Sequence, residues 1–256
     1  MNIEEAKKIT LSLIDTFNKA GNIALDLRAA GLKKEIKSDN TPVSNGDIEV
    51  NKILKKKISE ITPNIIIVSE ENSAHKNDKN LKDFWLIDPI DGTNDYINNR
   101  DEFTLNAALI LNNTPAIGII SAPAKKRVFY SYGASNSYEL INSQEIELIN
   151  KKKDYEIIKA VCYSDNIKQK ISEIHKKNQV ASHQKMKSSL KFCVVAAGEY
   201  DLYVAEPRAC EWDIAAGHAI VVHAGGEIKD FDGKEIKYGK INFKNTSIIV
   251  KNKNII

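Results

Sequence analysis

Cysteine is rare in this 256-residue chain. It occurs at 162, 193 and 210, and no two of the three are spaced as zinc ligands. That excludes a disulfide framework and a zinc module and leads us to expect reduced thiols in a cytoplasmic protein. Arginine is rarer than its charge partners, at 28, 100, 127 and 208 only, so the 37 basic residues are mostly Lys; set against 34 acidic residues they leave a formal charge of +3. A positive balance this small, carried by Lys, does not indicate a nucleic-acid binder and suits an anionic small molecule instead. No apolar run approaches the roughly 20 residues that a membrane helix needs. The opening MNIEEAKKIT is too acidic and polar for a secretory signal, so no cleaved targeting segment is expected. His75, His175, His183, His218 and His223 are scattered, and structural or solvated roles are expected for each.

What is present is the composition of a soluble globular protein, 42% hydrophobic and 28% charged. The length allows one large domain or two small ones. Ala6, Ile9, Leu13, Phe17, Ala20 and Ala24 recur at helical steps and predict a helix over 4–31 that stops at Gly31. After the turn-rich KSDNTPVSNGD (37–47), a second helix is expected from about Asp47 to Ile61, with Ile48, Leu54, Ile58 and Ile61 inward. IIIVS (65–69) and FWLID (84–88) read as short buried strands, and 103–111, 115–121 and 127–132 as a meandering antiparallel sheet. KKKD (151–154) is the clearest break in composition. It divides an α+β half, 1–152, from a half, 153–256, in which strands and helices alternate.

Carboxylates gather at the ends of these elements. Asp47 opens a helix, Glu70-Glu71 ends IIIVS, Asp88 and Asp91 bracket Pro89-Ile90 at the end of FWLID, and Asp213 starts WDIAAGHAIVVHAGG. Each has a plain structural account by itself: a cap for Asp47 or Asp213, a solvated loop for Glu70-Glu71, a turn for DPIDGT. Apolar strands that end in paired acids twice within about twenty residues are not explained by solvation. Acids crowded in this way repel, and cations that favour all-oxygen ligands, Mg²⁺ or Mn²⁺, would hold them together. Pro89 fixes the turn, and N–H groups at Gly92-Thr93 are placed to cradle a phosphate where a helix could begin.

The joint pattern resembles the lithium-sensitive, Mg²⁺-dependent phosphatases related to inositol monophosphatase. An Asp, then Glu-Glu, then Asp-Pro-Ile-Asp-Gly-Thr, then Trp-Asp followed by eleven residues and Gly-Gly is matched by Asp47, Glu70-Glu71, 88–93, Trp212-Asp213 and Gly225-Gly226. Within that family the bisphosphate nucleotidase branch is the nearer resemblance, through SDNTPVSNGD (38–47), DPIDGTNDYI with EFTLNAALI (88–97, 102–110), SLKFCVVAAGEYDLY (189–203) and WDIAAGHA (212–219). The resemblance implies a layered αβαβα sandwich with the site between its halves. It implies one Mg²⁺ on Glu70, Asp88 and the Ile90 carbonyl, a second on Asp88, Asp91 and Asp213, and a third ion near Glu70, with Glu71 and Arg208 auxiliary and Li⁺ inhibitory. It implies that Thr93, held by Asp47, orients the attacking water, with Glu70 also catalytic. Gly92 and Thr93 would bind the phosphate beside Asp213, and Ser188 and Lys191 a second phosphate.

Three positions depart from the branch pattern: Lys187 where it has Gly, Asp165 where it has a His against the base, and Ala205 where it has Arg, with Arg208 three residues later. The expected substrate is 3′-phosphoadenosine 5′-phosphate, hydrolysed to AMP and phosphate by metal-activated water. An inositol- or sugar-phosphate phosphatase with the same metals is the enzyme alternative. A non-catalytic binder with a Lys-rich surface is the alternative from another class, and the intact acidic set argues against it. The implied partner is a small phosphorylated nucleotide or sugar and no nucleic acid. The implied setting is the cytoplasm or the periphery of the inner membrane, as monomer or homodimer.

Overall fold

The structure, a computed structural model, describes residues 1–37, 41–71, 75, 78, 81–148 and 157–256. The expected boundary at 151–154 lies outside the described residues, as do parts of the loops after 37 and 71.

Helix α1, Ile3–Ala30, opens with a reciprocal cap, Asn2 N–H to Glu5 Oε2 and Glu5 N–H to Asn2 Oδ1, each 2.9 Å. It closes at Gly31, whose φ of 96° an L side chain would resist. A short hairpin follows, β1 (Lys34–Ile36) and β2 (Pro42–Ser44). It leads into α2 (Asn45–Ile61), which begins two residues earlier than the sequence suggested because Ser44 caps it. Ile48, expected inward, is 54% exposed. The buried stripe is Val50, Leu54 and Ile58, four residues apart, and Ile48 lies about half a turn from Val50.

Seven strands follow: β3 (Ile66–Ser69), β4 (Phe84–Asp91), β5 (Thr104–Leu111), β6 (Thr114–Ala122), β7 (Arg127–Ser131), β8 (Ser137–Ile141) and β9 (Gln144–Glu147), with the short helix α3 (Thr93–Ile97) after β4. They form one sheet in chain order, parallel between β3 and β4 and antiparallel thereafter. The expected meander is present and runs two strands further. The second part contains β10 (Ile158–Cys162), α4 (Gln169–Lys177), β11 (Val180–Lys185), α5 (Leu190–Ala196), β12 (Leu202–Ala205), α6 (Glu211–His223), β13 (Glu227–Lys229) and β14 (Ile248–Lys251). Its five strands form a second, mixed sheet in the order β11-β10-β12-β14-β13.

Burial alternates along the central strands and so sets the layers. Trp85, Ile87, Leu109 and Ile119 pack with Leu13 and Phe17 of α1 and Val50 and Leu54 of α2. Phe84, Leu86, Ile110 and Ile120 face the other way and pack with Phe192 of α5 and Ile220 and Val221 of α6. The same core continues to Val161, Tyr203 and Val250 of the second sheet, and α4 covers that sheet's outer face through Ile171 and Ile174. The order is α1/α2, seven-stranded sheet, α5/α6, five-stranded sheet, α4, the expected αβαβα sandwich. Each fully buried side chain of Leu or Phe size contributes roughly 1.5–3 kcal/mol to holding these layers together. Close packing is visible at Gly217, where an added Cβ would lie 2.3 Å from Phe192. No helix among the described residues is long and apolar enough to cross a membrane.

The histidines and cysteines outside the site behave as structural groups. Burial lowers His218 to about 3 and His223 to about 4. The His218 Nδ1 lies 2.9 Å from the Tyr238 hydroxyl, and Gly133 N–H donates to His223 Nδ1 at 3.2 Å. All three cysteines are free thiols.

Candidate active site

Residues three apart on a regular strand face opposite sides of a sheet. Up to Asp88, β4 follows that rule, with Phe84 and Leu86 toward α6 and Trp85 and Ile87 toward α1 and α2. Continued alternation would turn Asp91 away from Asp88. The pairing with β5 slips here instead, since Asp88 opposes Asn106 while Asp91 opposes Thr104. One extra residue on β4 makes a bulge, which returns Asp91 to the Asp88 face and sends Ile90 into the core beneath α1 and α2. Pro89 sits inside the slip, where its missing N–H breaks no ladder bond.

Two other elements bring acids to the same place. Glu70 follows β3, and its N–H bonds to the Ile87 carbonyl at 3.0 Å, which carries the parallel pairing one step further and sets Glu70 beside Asp88. Asp213 is the third residue of α6. Its Oδ2 accepts the Cys210 N–H at 2.7 Å as part of a cap, and its carboxyl also hydrogen-bonds Asp88. One oxygen each of Glu70, Asp88 and Asp213 lie within 4.8 Å of one another. Asp91 borders the same cleft, and its Oδ2 accepts the Ser189 hydroxyl at 2.6 Å.

Electrostatics records the crowding. Burial, with Glu71 and Asp91 working in the same direction and Lys37 against them, brings Glu70 to about 7. Burial, then Asp91 and Glu70, brings Asp213 to about 8. Asp88 is pushed well above the carboxylate range by burial and by all three neighbours. Its Oδ1 is buried with no hydrogen-bond partner. An orphaned carboxylate oxygen at the centre of an all-oxygen set fits a hard divalent cation, because such an ion supplies both the missing partner and the missing charge.

Asp47 makes a second split. Its Oδ2 accepts the Ser44 N–H at 2.8 Å and the Ser44 hydroxyl at 2.6 Å, and its Oδ1 lies 3.1 Å from Thr93 Oγ1. One oxygen of Asp47 therefore caps α2 and the other reaches Thr93. Thr93 Oγ1 also donates within reach of the Ile90 carbonyl, at 2.9 Å. Gly92 ahead of it has φ 89° and caps α3. A Cβ there would stand 3.0 Å from the Glu102 carbonyl, so the turn that aims Thr93 requires glycine. The N–H groups of Gly92 and Thr93 head that helix, where its own carbonyls cannot reach them.

The cleft above these groups has a volume of about 380 Å³. Its other wall carries Ser188 and Lys191. Ser188 has φ 54°, an uncommon conformation for serine, and its carbonyl accepts the Lys191 ammonium. Burial lowers Lys191 to about 8. Arg208 lies at the rim, its guanidinium 4.3 Å from the centre of the Tyr163 ring. Asp165 is turned out to Lys185 at 3.1 Å. Glu71 is held by Lys37 at 2.7 Å.

Several neighbours were not singled out from sequence. Ser189 joins three elements: its hydroxyl lies 2.6 Å from Asp91 Oδ2, 2.6 Å from the Asp213 carbonyl and 2.9 Å from Asn106 Nδ2. The signal available for Asn106 was a polar residue on the inward face of an apolar strand, and for Ser189 its place beside Ser188. Lys37 carried no signal, since nothing in a turn-rich loop marks one lysine from the next.

Residues 5–255 match the pattern of the inositol monophosphatase family. The chain is 34% identical over 219 residues to the 3′(2′),5′-bisphosphate nucleotidase CysQ of Buchnera aphidicola subsp. Acyrthosiphon pisum, covering 82% of this chain and 80% of that one. It is 33% identical over 206 residues to the protein of the same name from Salmonella typhimurium, with 79% and 81% covered. Among solved structures it is similar to CysQ from Bacteroides thetaiotaomicron, a bacterial member of the inositol monophosphatase family, with a TM-score of 0.78 and 26% identity over 95% of this chain and 96% of that one.

Proposed function

This chain belongs to the inositol monophosphatase family, and from that premise we propose that it is a Mg²⁺-dependent phosphomonoesterase that hydrolyses 3′-phosphoadenosine 5′-phosphate to AMP and phosphate. The family is one of metal-dependent phosphatases, and the similar bacterial proteins bear the nucleotidase name. The observation that carries the reading to these residues is the partnerless, buried Asp88 Oδ1 inside the Glu70, Asp88 and Asp213 cluster at the foot of the cleft. Glu70, Asp88, Asp91, Asp213 and the Ile90 carbonyl would hold two ions, with a third near Glu70 and Glu71 auxiliary. When bound, such ions lower the pKa of water and offset the charge that develops on the phosphoryl group.

The chain's own residues do the rest. Asp47 Oδ1 takes the Thr93 hydroxyl proton in hydrogen bond, which leaves a Thr93 lone pair to orient a water and accept its proton. The N–H groups of Gly92 and Thr93 hold the phosphate oxygens. A bond from the water oxygen to phosphorus forms as the phosphorus–O3′ bond breaks; Thr93 takes the water's proton as it passes its own to Asp47, and the leaving O3′ takes a proton from solvent water. Ser188 and Lys191 bind the second phosphate, where a charged donor is worth more than a neutral one. Ser189 holds Asp91 toward the site.

The test is phosphate release with Mg²⁺, comparing 3′-phosphoadenosine 5′-phosphate with inositol 1-phosphate by kcat/KM. We expect the nucleotide to be preferred. A preference for the inositol ester would remove the nucleotide reading while keeping the metal site, and no release from either with Mg²⁺ or Mn²⁺ would remove both.

A further inference from the structure

The cleft also holds three cations, Lys187, Lys191 and Arg208. Lys191 is buried with its ammonium 5.3 Å from the Tyr203 ring centre; Asp91 and Asp213 favour its charge, and the positive charges of Arg208 and Lys187 oppose it. The Lys187 ammonium donates to the Tyr163 carbonyl at 2.8 Å and lies 5.9 Å from the Tyr163 ring centre. Arg208 is 4.3 Å from the centre of the same ring. Among the described residues no carboxylate forms an ion pair with any of the three. The acids nearest in the chain are committed elsewhere, Asp165 to Lys185 and Glu206 to Lys168.

The backbone holds the group in place. The Lys187 N–H donates to Glu102 Oε2 at 2.9 Å, which pins the segment before Ser188 to the loop ahead of β5. Tyr163, Lys187, Lys191, Tyr203 and Arg208 line the same cleft as Glu70, Asp91 and Asp213. Three cations in one cleft, two of them on the Tyr163 ring and the third on Tyr203, repel one another and are favourable around a dianion. Ring faces relieve part of the repulsion in the absence of that anion.

We infer that Lys187 and Arg208, mounted on Tyr163, form with Lys191 the recognition site for the phosphate that is not hydrolysed, and that they set the preference for a bisphosphate over a monophosphate. The inference rests on the nucleotidase reading above. It also gives a role to two departures noted in the sequence: Lys187 stands where the branch pattern has glycine, and Arg208 takes up the charge absent at Ala205.

The test uses the Mg²⁺-loaded enzyme with two substrates that differ only in the second phosphate, 3′-phosphoadenosine 5′-phosphate and adenosine 3′-monophosphate. In Lys187→Gly and in Arg208→Gln the ratio of their kcat/KM values is expected to fall about tenfold or more, the worth of a charge-assisted hydrogen bond. The change should be in KM, and Arg208→Lys should restore part of it. A second readout is calorimetric binding of adenosine 5′-monophosphate, which carries only the second phosphate; its affinity should drop by a similar factor in both variants. If the wild type prefers the bisphosphate and both variants keep that preference and bind AMP as before, this inference fails and the nucleotidase reading stands. Equal losses on the two substrates would likewise overturn it, as they would mark a structural role. A wild type with no preference for the bisphosphate would remove both.

Discussion

At the acidic end of the cleft, the carboxylates are mounted on regular structure or directly beside it. Glu70 extends a parallel strand pair, Asp88 and Asp91 flank a bulge in a central strand, and Asp47 and Asp213 are third residues of capped helices. At the basic end, Lys187 and Arg208 stand on irregular segments and Ser188 is in the left-handed region. Only Lys191 belongs to a helix there. The proposed roles of the two ends account for the difference. Divalent ions require oxygens held to within fractions of an ångström, which strands and helix starts provide. Recognition of a remote phosphate asks only for positive charge within reach, and that can be moved along a loop.

The contrast can be broken by substitution. Asp88→Asn should lower kcat by about 10³-fold or more, because cation-borne charge stabilisation is worth several kcal/mol. It should also raise the Tm of the metal-free protein, since it removes one of the acids that repel. Near-normal turnover would show that the acidic end was wrongly assigned. Thr93→Ala should cost about 10²-fold in kcat, within the usual range for a positioned proton acceptor, and leave KM little changed; steady-state kinetics on the nucleotide separates the two. Ser189→Ala should give an intermediate loss of about tenfold, one hydrogen bond to a charged group. Asp91 then loses its 2.6 Å donor and keeps its carboxylate, so excess Mg²⁺ should recover activity. Failure to recover would point to a role beyond holding Asp91.

The smallest effect is on stability and has a definite sign. Glu70 at about 7 and Asp213 at about 8 bind protons in the folded, metal-free protein, whereas carboxylates in the unfolded chain titrate near about 4. Below about pH 4 both states are protonated and the cluster is neutral in effect. Between about pH 4 and 8 only the folded state resists ionisation, so stability falls as pH rises. His218 and His223 act in the opposite sense, because burial lowers them to about 3 and about 4 and their contribution is lost as pH falls below about 6.5. The useful measurement is therefore the Tm difference between Asp88→Asn and wild type, each without metal. It should widen by a few degrees from pH 5 to pH 8, and Mg²⁺ should raise the wild-type Tm more at pH 8. A difference independent of pH would mean that the acids do not interact.

The same two ends differ in how far they could be read from the sequence. The clustered acids stood out because polar residues at the ends of apolar strands break a strong pattern, the α/β character of the second half followed from the alternation of strands and helices, and the αβαβα layering came from the family resemblance. The bulge itself was not legible, although Pro89 marked where it lies; only the pairing with Asn106 and Thr104 shows that Asp88 and Asp91 share a face. Strand β9 was missed because all four of its residues are exposed and leave no apolar period. Ile48 was placed inward on hydrophobicity alone, while the cap at Ser44 and the stripe from Val50 decide which face is buried. The Tyr163 cluster was out of reach, because it joins residues 163, 187 and 208 through tertiary contacts with no shared period.

Asp47 gives one oxygen to a helix start and the other to Thr93, and Asp213 caps its helix while its carboxyl also hydrogen-bonds Asp88. The arrangement acts as an interlock. On the proposed roles, fraying of the first turn of α2 or α6 would release a carboxylate from its register and stop the chemistry without opening the sandwich. Activity in this protein is thus a local thermometer: on heating, turnover should fail at the temperature where those two helix starts melt, below the temperature where the whole chain unfolds.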